Sequence, residues 1–214
     1  MRVTVFGATG GIGRLVVADL SAAGHIVRAY VRDPAKVPET WRHDVEVVVG
    51  EIIDFTAVRA AVAGADVVIS TLGPDPDPRA AKGRPLTRGT EHIVEAMKHH
   101  GVRRIIGNGT PSVLDIRDRR TWQTRVPVWI ARTFLRSAYN ELLGMSAAIM
   151  NSGLKWTIVR FVIPTNGPAR GVAYEGFYGI DKLRWRVTRA DIAAFTAAQI
   201  GDEHYIEAAP AISN

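Results

Sequence analysis

Cysteine is absent from the 214 residues of this chain, which excludes disulfide bonds and any thiolate-based metal or nucleophile chemistry. Long apolar runs are absent too, since no segment reaches the roughly 18 consecutive apolar residues that span a bilayer. The first residues form neither the basic stretch nor the apolar stretch of a secretory signal. These absences predict a cytoplasmic protein with no membrane partner.

A strong excess of one charge is also missing. Lysine and arginine total 27 against 21 acidic residues, a net charge of +6, and the hydrophobic share of 47% is ordinary for a globular protein. The positive balance is compatible with nucleic acid or with phosphorylated and acidic small molecules. No recognition helix, zinc motif or aromatic–basic ribbon accompanies it, so we expect a small-molecule partner and no nucleic acid. No histidine and carboxylate spacing indicates a metal site.

The segment from Gly7 to Gly13 reads GATGGIG, between a short apolar strand at residues 3–6 and a helical pattern. Glycines there let the backbone turn sharply and approach a pyrophosphate, while the helix N-terminus offers free N–H groups and a partial positive charge. A tight turn without a ligand would use similar residues. The flanking strand and helix favour a dinucleotide site.

Apolar runs alternate with helical patterns along the chain, which is typical of βαβ units and a parallel sheet. We predict strands at residues 3–6, 26–31, 45–49, 66–70, 103–106 and 156–159, and a short last strand at 205–208. Helices are predicted at residues 12–23, 55–63, 87–100 and 121–151, the last with Pro127 as its start or as a kink. A final helix begins after Thr188, with Asp191 as its capping partner. Residues 73–78 and 164–187 show no regular pattern.

These elements predict one dinucleotide-binding α/β domain over residues 1–214. It is a single-domain, Rossmann-like, doubly wound parallel sheet in three αβα layers, with strand order 3-2-1-4-5-6. Ligands bind such sheets at the carboxyl ends of the strands. We therefore expect the substrate crevice among the loops after strands 4, 5 and 6.

The second predicted strand ends at Arg32, which Asp33 and Pro34 follow. A site for NAD usually places an acidic side chain here for the ribose 2′-hydroxyl, whereas the planar guanidinium fits a 2′-phosphate. Pro34 suggests that Asp33 starts a turn, and Arg14 after the glycines can add a second positive charge. We favour NADP, with NAD as the alternative. A solvated strand end would also explain Arg32.

Three more loops follow predicted strands. Glu51 and Ile52 can flank an adenine ring, while Asp54 either joins them or caps the next helix. Leu72 and Gly73 let the backbone come near the cofactor sugars, or simply begin a loop. Thr110 and Ser112 are catalytic candidates, because their hydroxyls can donate to a substrate oxygen, although turn chemistry produces a similar string.

Several segments together resemble an atypical short-chain dehydrogenase/reductase. More narrowly, they are similar to the NAD(P)H-binding proteins related to biliverdin-IXβ/flavin reductase and, more loosely, to the NmrA-like group. The resemblance extends over nearly the whole chain, and the segments that carry it are residues 7–13, 31–33, 48–51, 89–98 and 152–156.

The resemblance implies cofactor roles for the residues at matching positions. The pyrophosphate would be held by Gly7, Thr9, Gly10, Gly11, Ile12 and Gly13. Arg32 would bind the 2′-phosphate. Adenine would contact Glu51 and Ile52, and the riboses Leu72 and Gly73. The nicotinamide would lie against Phe161, Val162 and Ile163.

Departures from the family pattern concern catalysis. The tyrosine–lysine pair of ordinary short-chain dehydrogenases is missing, since Leu143 stands four residues after Tyr139, although Tyr139 stays a catalytic candidate. Thr110 falls where flavin reductases place a serine, and Ile163 where the biliverdin-reducing enzyme has a histidine. Alcohol oxidation through a tyrosinate, and biliverdin as substrate, are therefore not supported.

We predict an NAD(P)H-dependent oxidoreductase that reduces a flavin, a quinone or a similar conjugated acceptor by hydride transfer, because this reaction mainly needs proximity and orientation. The alternative is an NmrA-like protein that senses the dinucleotide without turnover. The sequence leaves monomer and homodimer open.

Arginines crowd the segment after the fifth strand, with two tryptophans among them. One hypothesis is a basic, aromatic lid that favours a planar, anionic substrate, and the alternative is a solvated helix face with tryptophans in the core or in an interface. The residues concerned are Arg117, Arg119, Arg120, Trp122, Arg125, Trp129, Arg132 and Arg136.

Overall fold

Ten strands and six α-helices follow one another along residues 1–41, 44–74, 85–119 and 121–214, which this computed structural model describes, apart from the side chain of Gln123. The strands are β1 (Arg2–Phe6), β2 (Ile26–Val31), β3 (Val45–Val49), β4 (Val67–Ser70), β5 (Arg104–Gly109), β6 (Lys155–Arg160), β7 (Ile163–Thr165), β8 (Tyr174–Gly176), β9 (Arg186–Thr188) and β10 (Ala211–Ser213). The helices are α1 (Gly13–Ala22), α2 (Phe55–Val62), α3 (Pro85–His100), α4 (Trp122–Phe134), α5 (Arg136–Met150) and α6 (Arg189–Ala198).

The main sheet has eight strands in the order β3-β2-β1-β4-β5-β6-β10-β8. The first six pair in parallel, which confirms the predicted order 3-2-1-4-5-6. Beyond them, β10 pairs parallel with β6 and antiparallel with β8. A separate pair, β7 with β9, lies outside this sheet.

Helices cover both faces of the sheet, as the three-layer αβα prediction requires. On one face, α1 and α6 pack through residues such as Val16 and Ile192. On the other face, α2, α3 and α5 pack through residues such as Val58, Ile93 and Ile149. Every residue of β4 is buried, because a central parallel strand is covered on both sides and needs a continuous apolar run.

Two predictions about the carboxyl part were wrong. Residues 205–208 form turns with a single bridge between Ala208 and Thr157, since Glu207 has a positive φ of 53° that interrupts an extended strand. The last strand is β10 instead. Residues 164–187 are not wholly irregular, because they include β8 and parts of β7 and β9, and strands of three residues are too short to show a periodic pattern.

The predicted long helix at 121–151 is two helices. The chain leaves the helical conformation at Leu135, with φ −122° and ψ 41°, while Pro127 lies inside α4. Thr188 caps the start of α6 as predicted, since its hydroxyl accepts a hydrogen bond from the Asp191 N–H. Among the described residues, no helix combines the length and the apolar character needed to cross a bilayer. Residues 75–78 of the proline-rich loop, and Arg120, lie outside the described residues.

Candidate functional site

A cleft of about 990 Å³ runs along the carboxyl edge of the parallel strands, where the loops after β1 to β6 meet. It brings together most of the residues singled out from the sequence: Gly7, Thr9, Gly10, Gly11, Ile12, Arg32, Glu51, Ile52, Leu72, Gly73, Thr110, Ser112, Tyr139 and Phe161. Gly13, Val162 and Ile163 lie outside its lining. Val162 packs against Tyr178 and Leu183, and the Ile163 N–H donates to the Trp185 carbonyl.

Glycine is required at both ends of the turn between β1 and α1. Gly7 has a φ of 75°, which disfavours any side chain. A Cβ on Gly13 would lie 2.1 Å from the Gly7 carbonyl oxygen. Gly13 therefore lets α1 start directly against the turn, even though it does not line the cleft.

Backbone donors at this turn face the cleft without acceptors. Helix α1 begins without a side-chain cap, and the N–H groups of Gly11 and Ile12 donate to no group in the described part of the chain. The Thr71 hydroxyl, at the end of β4, holds the turn by donating to the carbonyls of Phe6 and Gly7 at 3.1 Å each. Uncapped helix donors form a ready site for an anion such as a pyrophosphate.

Arg189, the first residue of α6, lies over the same turn. A Cβ on Gly11 would come within 3.3 Å of the Arg189 side chain, and Arg189 donates to the Asn166 side-chain oxygen at 2.7 Å. Arg189 also lines the cleft. Arg189 and Thr71 were not predicted from the sequence, because only the folded sheet brings them to the glycines.

The end of β2 carries two cations on the cleft. Arg32 is exposed and forms no hydrogen bond or ion pair with any described residue, and Lys36, which the sequence analysis missed, lines the cleft beside it. Asp33 caps the turn Pro34–Lys36 by accepting from the Ala35 N–H at 3.0 Å, as Pro34 suggested. Its carboxylate is also 4.0 Å from the Lys36 ammonium. The one acidic group here is thus engaged locally.

The loop after β3 is fixed from both sides. The Tyr30 hydroxyl donates to the Glu51 carbonyl at 2.9 Å, and burial, aided by the negative charges of Asp54 and Glu51, raises the pKa of Tyr30 to about 12. A Cβ on Gly89 of α3 would lie 2.2 Å from the Ile52 side chain, so Ile52 packs directly on that helix. The Asp54 side chain accepts from the Ala57 N–H, which confirms the capping alternative for this residue.

Polar groups at the opposite end of the cleft are few. The Thr110 hydroxyl accepts from the Ser112 N–H at 3.3 Å, so it already serves the turn. Tyr139 has Leu143 one helical turn onward, and its hydroxyl makes no hydrogen bond with the described residues. Asn108 donates to the Thr196 hydroxyl, while its side-chain oxygen is buried without a partner in the described part of the chain. The other lining residues here are mainly apolar: Ala131, Leu135, Ala138, Leu142 and Phe161.

A buried ion pair anchors the loop after β5. Arg160 on β6 is fully buried and binds both carboxylate oxygens of Asp118, at 2.5 and 2.9 Å. It also donates to the Val113 carbonyl, and its guanidinium lies 4.8 Å from the ring of Tyr178. Burial raises the pKa of the Tyr178 hydroxyl above its ordinary range. The two residues of this pair lie 42 positions apart in the chain, so the sequence gives no local sign of the pairing.

The basic segment does not bring its charge to the cleft. None of its described arginines, which are Arg117, Arg119, Arg125, Arg132 and Arg136, is a lining residue. Arg117 pairs instead with Asp115 at 3.0 Å and lies over the ring of Phe177. The segment reaches the cleft through Ala131 and Leu135, so its described contribution to the acceptor end is apolar.

Comparison with known proteins agrees with this geometry. A family model described as NAD(P)H-binding matches residues 7–203. The chain is 33% identical over 193 residues to a 3-diazoavenalumate denitrifying reductase from a Streptomyces species, covering 82% of this chain and 60% of that protein. The chain thus spans less than two thirds of the length of this relative.

Solved structures share the fold at lower identity. A putative NAD-dependent epimerase/dehydratase from Bacillus halodurans superposes with a TM-score of 0.80 at 23% identity, covering 100% of this chain and 94% of that chain. A short-chain dehydrogenase/reductase from Veillonella parvula in complex with NADP gives 0.78 at 19% identity, with coverage of 100% and 94%.

Proposed function

The chain belongs to the NAD(P)H-binding family, and we propose that it acts as an NADPH-dependent reductase of a flavin, a quinone or a similar conjugated acceptor. One observation carries the proposal. The cleft joins a cationic end, built on the glycine turn, to an apolar end where Tyr139 has no lysine partner among the described residues.

The cationic end fits a dinucleotide with a 2′-phosphate. The unpaired N–H groups of Gly11 and Ile12 and the guanidinium of Arg189 suit a pyrophosphate. Arg32 and Lys36 offer two positive charges where an acidic residue would serve NAD. The Veillonella parvula neighbour, which holds NADP, supports the same choice.

We assign the remaining cofactor residues from the family resemblance and from their presence in the cleft lining. Glu51 and Ile52 would flank the adenine, and Leu72 with Gly73 would lie along the riboses. Phe161 would lie against the nicotinamide, and Val162 and Ile163, which are outside the lining, would support that stretch of chain. When bound, the cofactor supplies the hydride.

The apolar end positions the acceptor. Leu142, Phe161 and the ring of Tyr139 offer flat apolar surface to a planar ring, and the hydroxyls of Thr110 and Ser112 orient an acceptor oxygen. The acceptor takes a hydride and then one proton from water, so two electrons and two hydrogens are transferred without a protein acid. The Streptomyces relative is itself named a reductase, which supports reduction as the direction of the reaction.

Oxidation of NADPH with a panel of acceptors tests the proposal. We expect turnover with FMN or a soluble quinone and little with simple aldehydes, because carbonyl reduction needs an activated proton donor, and Tyr139 has no lysine partner among the described residues. Tight NADP binding with no turnover on any acceptor would instead favour the NmrA-like sensor and contradict the reductase.

The choice of NADP has its own test. Replacing Arg32 with alanine should raise the NADP dissociation constant about tenfold or more, since hydrogen bonds to a charged group contribute about 1.5–3 kcal/mol, and leave that of NAD unchanged. Arg103→Ala, an exposed arginine just before β5, is the matched control. An unchanged NADP constant in the Arg32 variant would remove this residue from the 2′-phosphate site.

A further inference from the structure

Helix α4 exposes an apolar side to solvent. Trp122, Val126, Trp129, Ile130 and Phe134 recur at spacings of three and four residues, which places them on one side of a helix. Trp122 is 65% exposed, Trp129 62% and Phe134 71%. Large exposed apolar patches mark interaction sites more often than bare surface, so this side of α4 is a candidate for binding.

Within residues 119–140, the charged residues along the rim of this side are all arginines. Arg125 and Arg132, two helical turns apart, fall on its flank, and Arg136 follows at the start of α5; all three are exposed. No acidic residue occurs between Asp118 and Glu141. Asp118 is bound by Arg160, and Glu141 is buried where it accepts from the N–H groups of Leu86 and Thr87.

A second basic segment adjoins the same side. The ring of Trp185 lies 5.5 Å from that of Trp122. Arg184 and Arg186 stand on either side of Trp185 in sequence, and both are exposed. The Arg184 guanidinium lies over the Tyr174 ring, which keeps it ordered at the surface. We call the exposed side of α4, with Trp185 and these arginines, the α4 surface.

We propose that the α4 surface binds the face of an anionic lipid bilayer. Tryptophan and phenylalanine side chains enter the boundary between headgroups and acyl chains, and arginines on the rim bind lipid phosphates. The sequence prediction of no membrane partner rested on the lack of a spanning segment, which a helix lying in the interface does not need. This proposal stands apart from the reductase activity, because it concerns the side of α4 that faces away from Ala131 and the cleft.

Charge decides against a second copy of the chain as the occupant. A two-fold dimer brings the same patch of both subunits together. The arginine rims would then meet without an acidic residue of residues 119–140 to separate them, and like charges in close contact oppose association. A lipid surface with negative headgroups satisfies both the apolar side and the rim.

Sedimentation with lipid vesicles tests the proposal on the whole chain. We expect binding to phosphatidylcholine vesicles that contain about one third phosphatidylglycerol, and at least about tenfold weaker binding to phosphatidylcholine alone. The double variant Arg125→Glu with Arg132→Glu should weaken binding to the anionic vesicles about tenfold or more, and so should Trp129→Ser. Matched controls are Lys98→Glu with Arg103→Glu for charge and Ile26→Ser for exposed apolar area.

Three outcomes would overturn the proposal. One is no vesicle binding at all; another is equal binding to neutral and anionic vesicles. The third is a dimer in solution that Trp129→Ser dissociates while anionic vesicles bind neither form, since the occupant would then be a second copy. Circular dichroism and thermal unfolding of each variant establish that the fold is intact, so that a loss of vesicle binding is attributed to the substituted residues of the α4 surface.

Discussion

The two ends of the cleft are built from different material. The end at the glycine turn combines backbone features, which are free N–H groups and the Cβ-less contact between Gly13 and Gly7, with the cationic side chains of Arg32 and Arg189. The other end consists of side chains carried on α4, α5 and the loop after β5, and its loop is held by the buried pair of Arg160 and Asp118. Backbone donors are set by the fold, so that end of the cleft keeps one kind of ligand. The ligand preference of the apolar end can change when one of its side chains is substituted.

The largest effect is expected at the buried pair. Arg160→Met leaves Asp118 without its partner and should lower the free energy of unfolding by about 3–5 kcal/mol, measured by urea denaturation. Dinucleotide binding by the folded fraction should be unchanged if the two ends are independent. Lys155→Met, which removes an exposed ion pair with Glu203, is the control and should cost less than about 1 kcal/mol.

A weaker dinucleotide affinity in the Arg160 variant would contradict the independence of the two ends, because it would mean that the acceptor end helps to hold the cofactor end. The milder Arg160→Lys keeps one charge and allows the same measurement if the methionine variant does not fold.

The second-largest effect is expected from substitution at the glycine turn. Gly13→Ala places a Cβ 2.1 Å from the Gly7 carbonyl oxygen, so we expect a loss of about 3 kcal/mol in unfolding free energy together with loss of dinucleotide binding. Gly201→Ala, where nothing lies within 4 Å of the added atom, is the control. Normal binding by Gly13→Ala would mean that α1 can shift without harming the site.

Asp191 lies in the first turn of α6, two residues after Arg189, and its carboxylate accepts hydrogen bonds from the backbone N–H groups of Arg170 and Gly171. Burial alone would raise its pKa, but hydrogen bonds from Thr188 and these N–H groups hold the pKa below the ordinary 3.8. Asp191→Asn should cost about 2 kcal/mol at neutral pH.

The sign of the pH effect follows from the lowered pKa. The carboxylate contributes fully to the free energy of unfolding above pH 3.8, and this contribution is lost as pH falls through the pKa of Asp191 in the folded state. The difference in unfolding free energy between wild type and Asp191→Asn should therefore become smaller in acid. Urea melts across that range measure it, with Glu95→Gln, an exposed carboxylate, as the control. If the difference in unfolding free energy between wild type and Asp191→Asn stays constant with pH, the hydrogen bonds to Asp191 do not favour its charged form.

The smallest effect is expected at Tyr139. If this residue only offers its ring to the acceptor, Tyr139→Phe should change kcat for a quinone less than about threefold, because proton donation by a side chain typically contributes about a hundredfold or more. Steady-state kinetics at saturating NADPH measures it. A loss of a hundredfold would make Tyr139 the proton donor and give the apolar end an acid after all.

The amino half was readable from sequence because its signals are contiguous. The strand, the glycines and the start of α1 lie within thirteen residues, and Arg32 follows its strand directly. Thr71 and Arg189 were missed since each meets the glycines only through the folded sheet.

The carboxyl half depends on pairs that are distant in sequence. No sequence feature near Asp118 predicts that Arg160 is its partner. The break at Leu135 has no local signal either, because leucine favours helices while Pro127 lies inside α4.

Helix α4 is held to the molecule by very little. Thr124 is its one buried side chain among those described, and the chain leaves the helical conformation directly after it, at Leu135. Segments with few buried contacts open at a low free-energy cost, so we expect amide hydrogens of α4 to exchange with solvent before those of α3, where Ile93 and Met97 are fully buried. The part of the cleft wall that α4 provides through Ala131 would then open locally while the sheet beneath it stays closed.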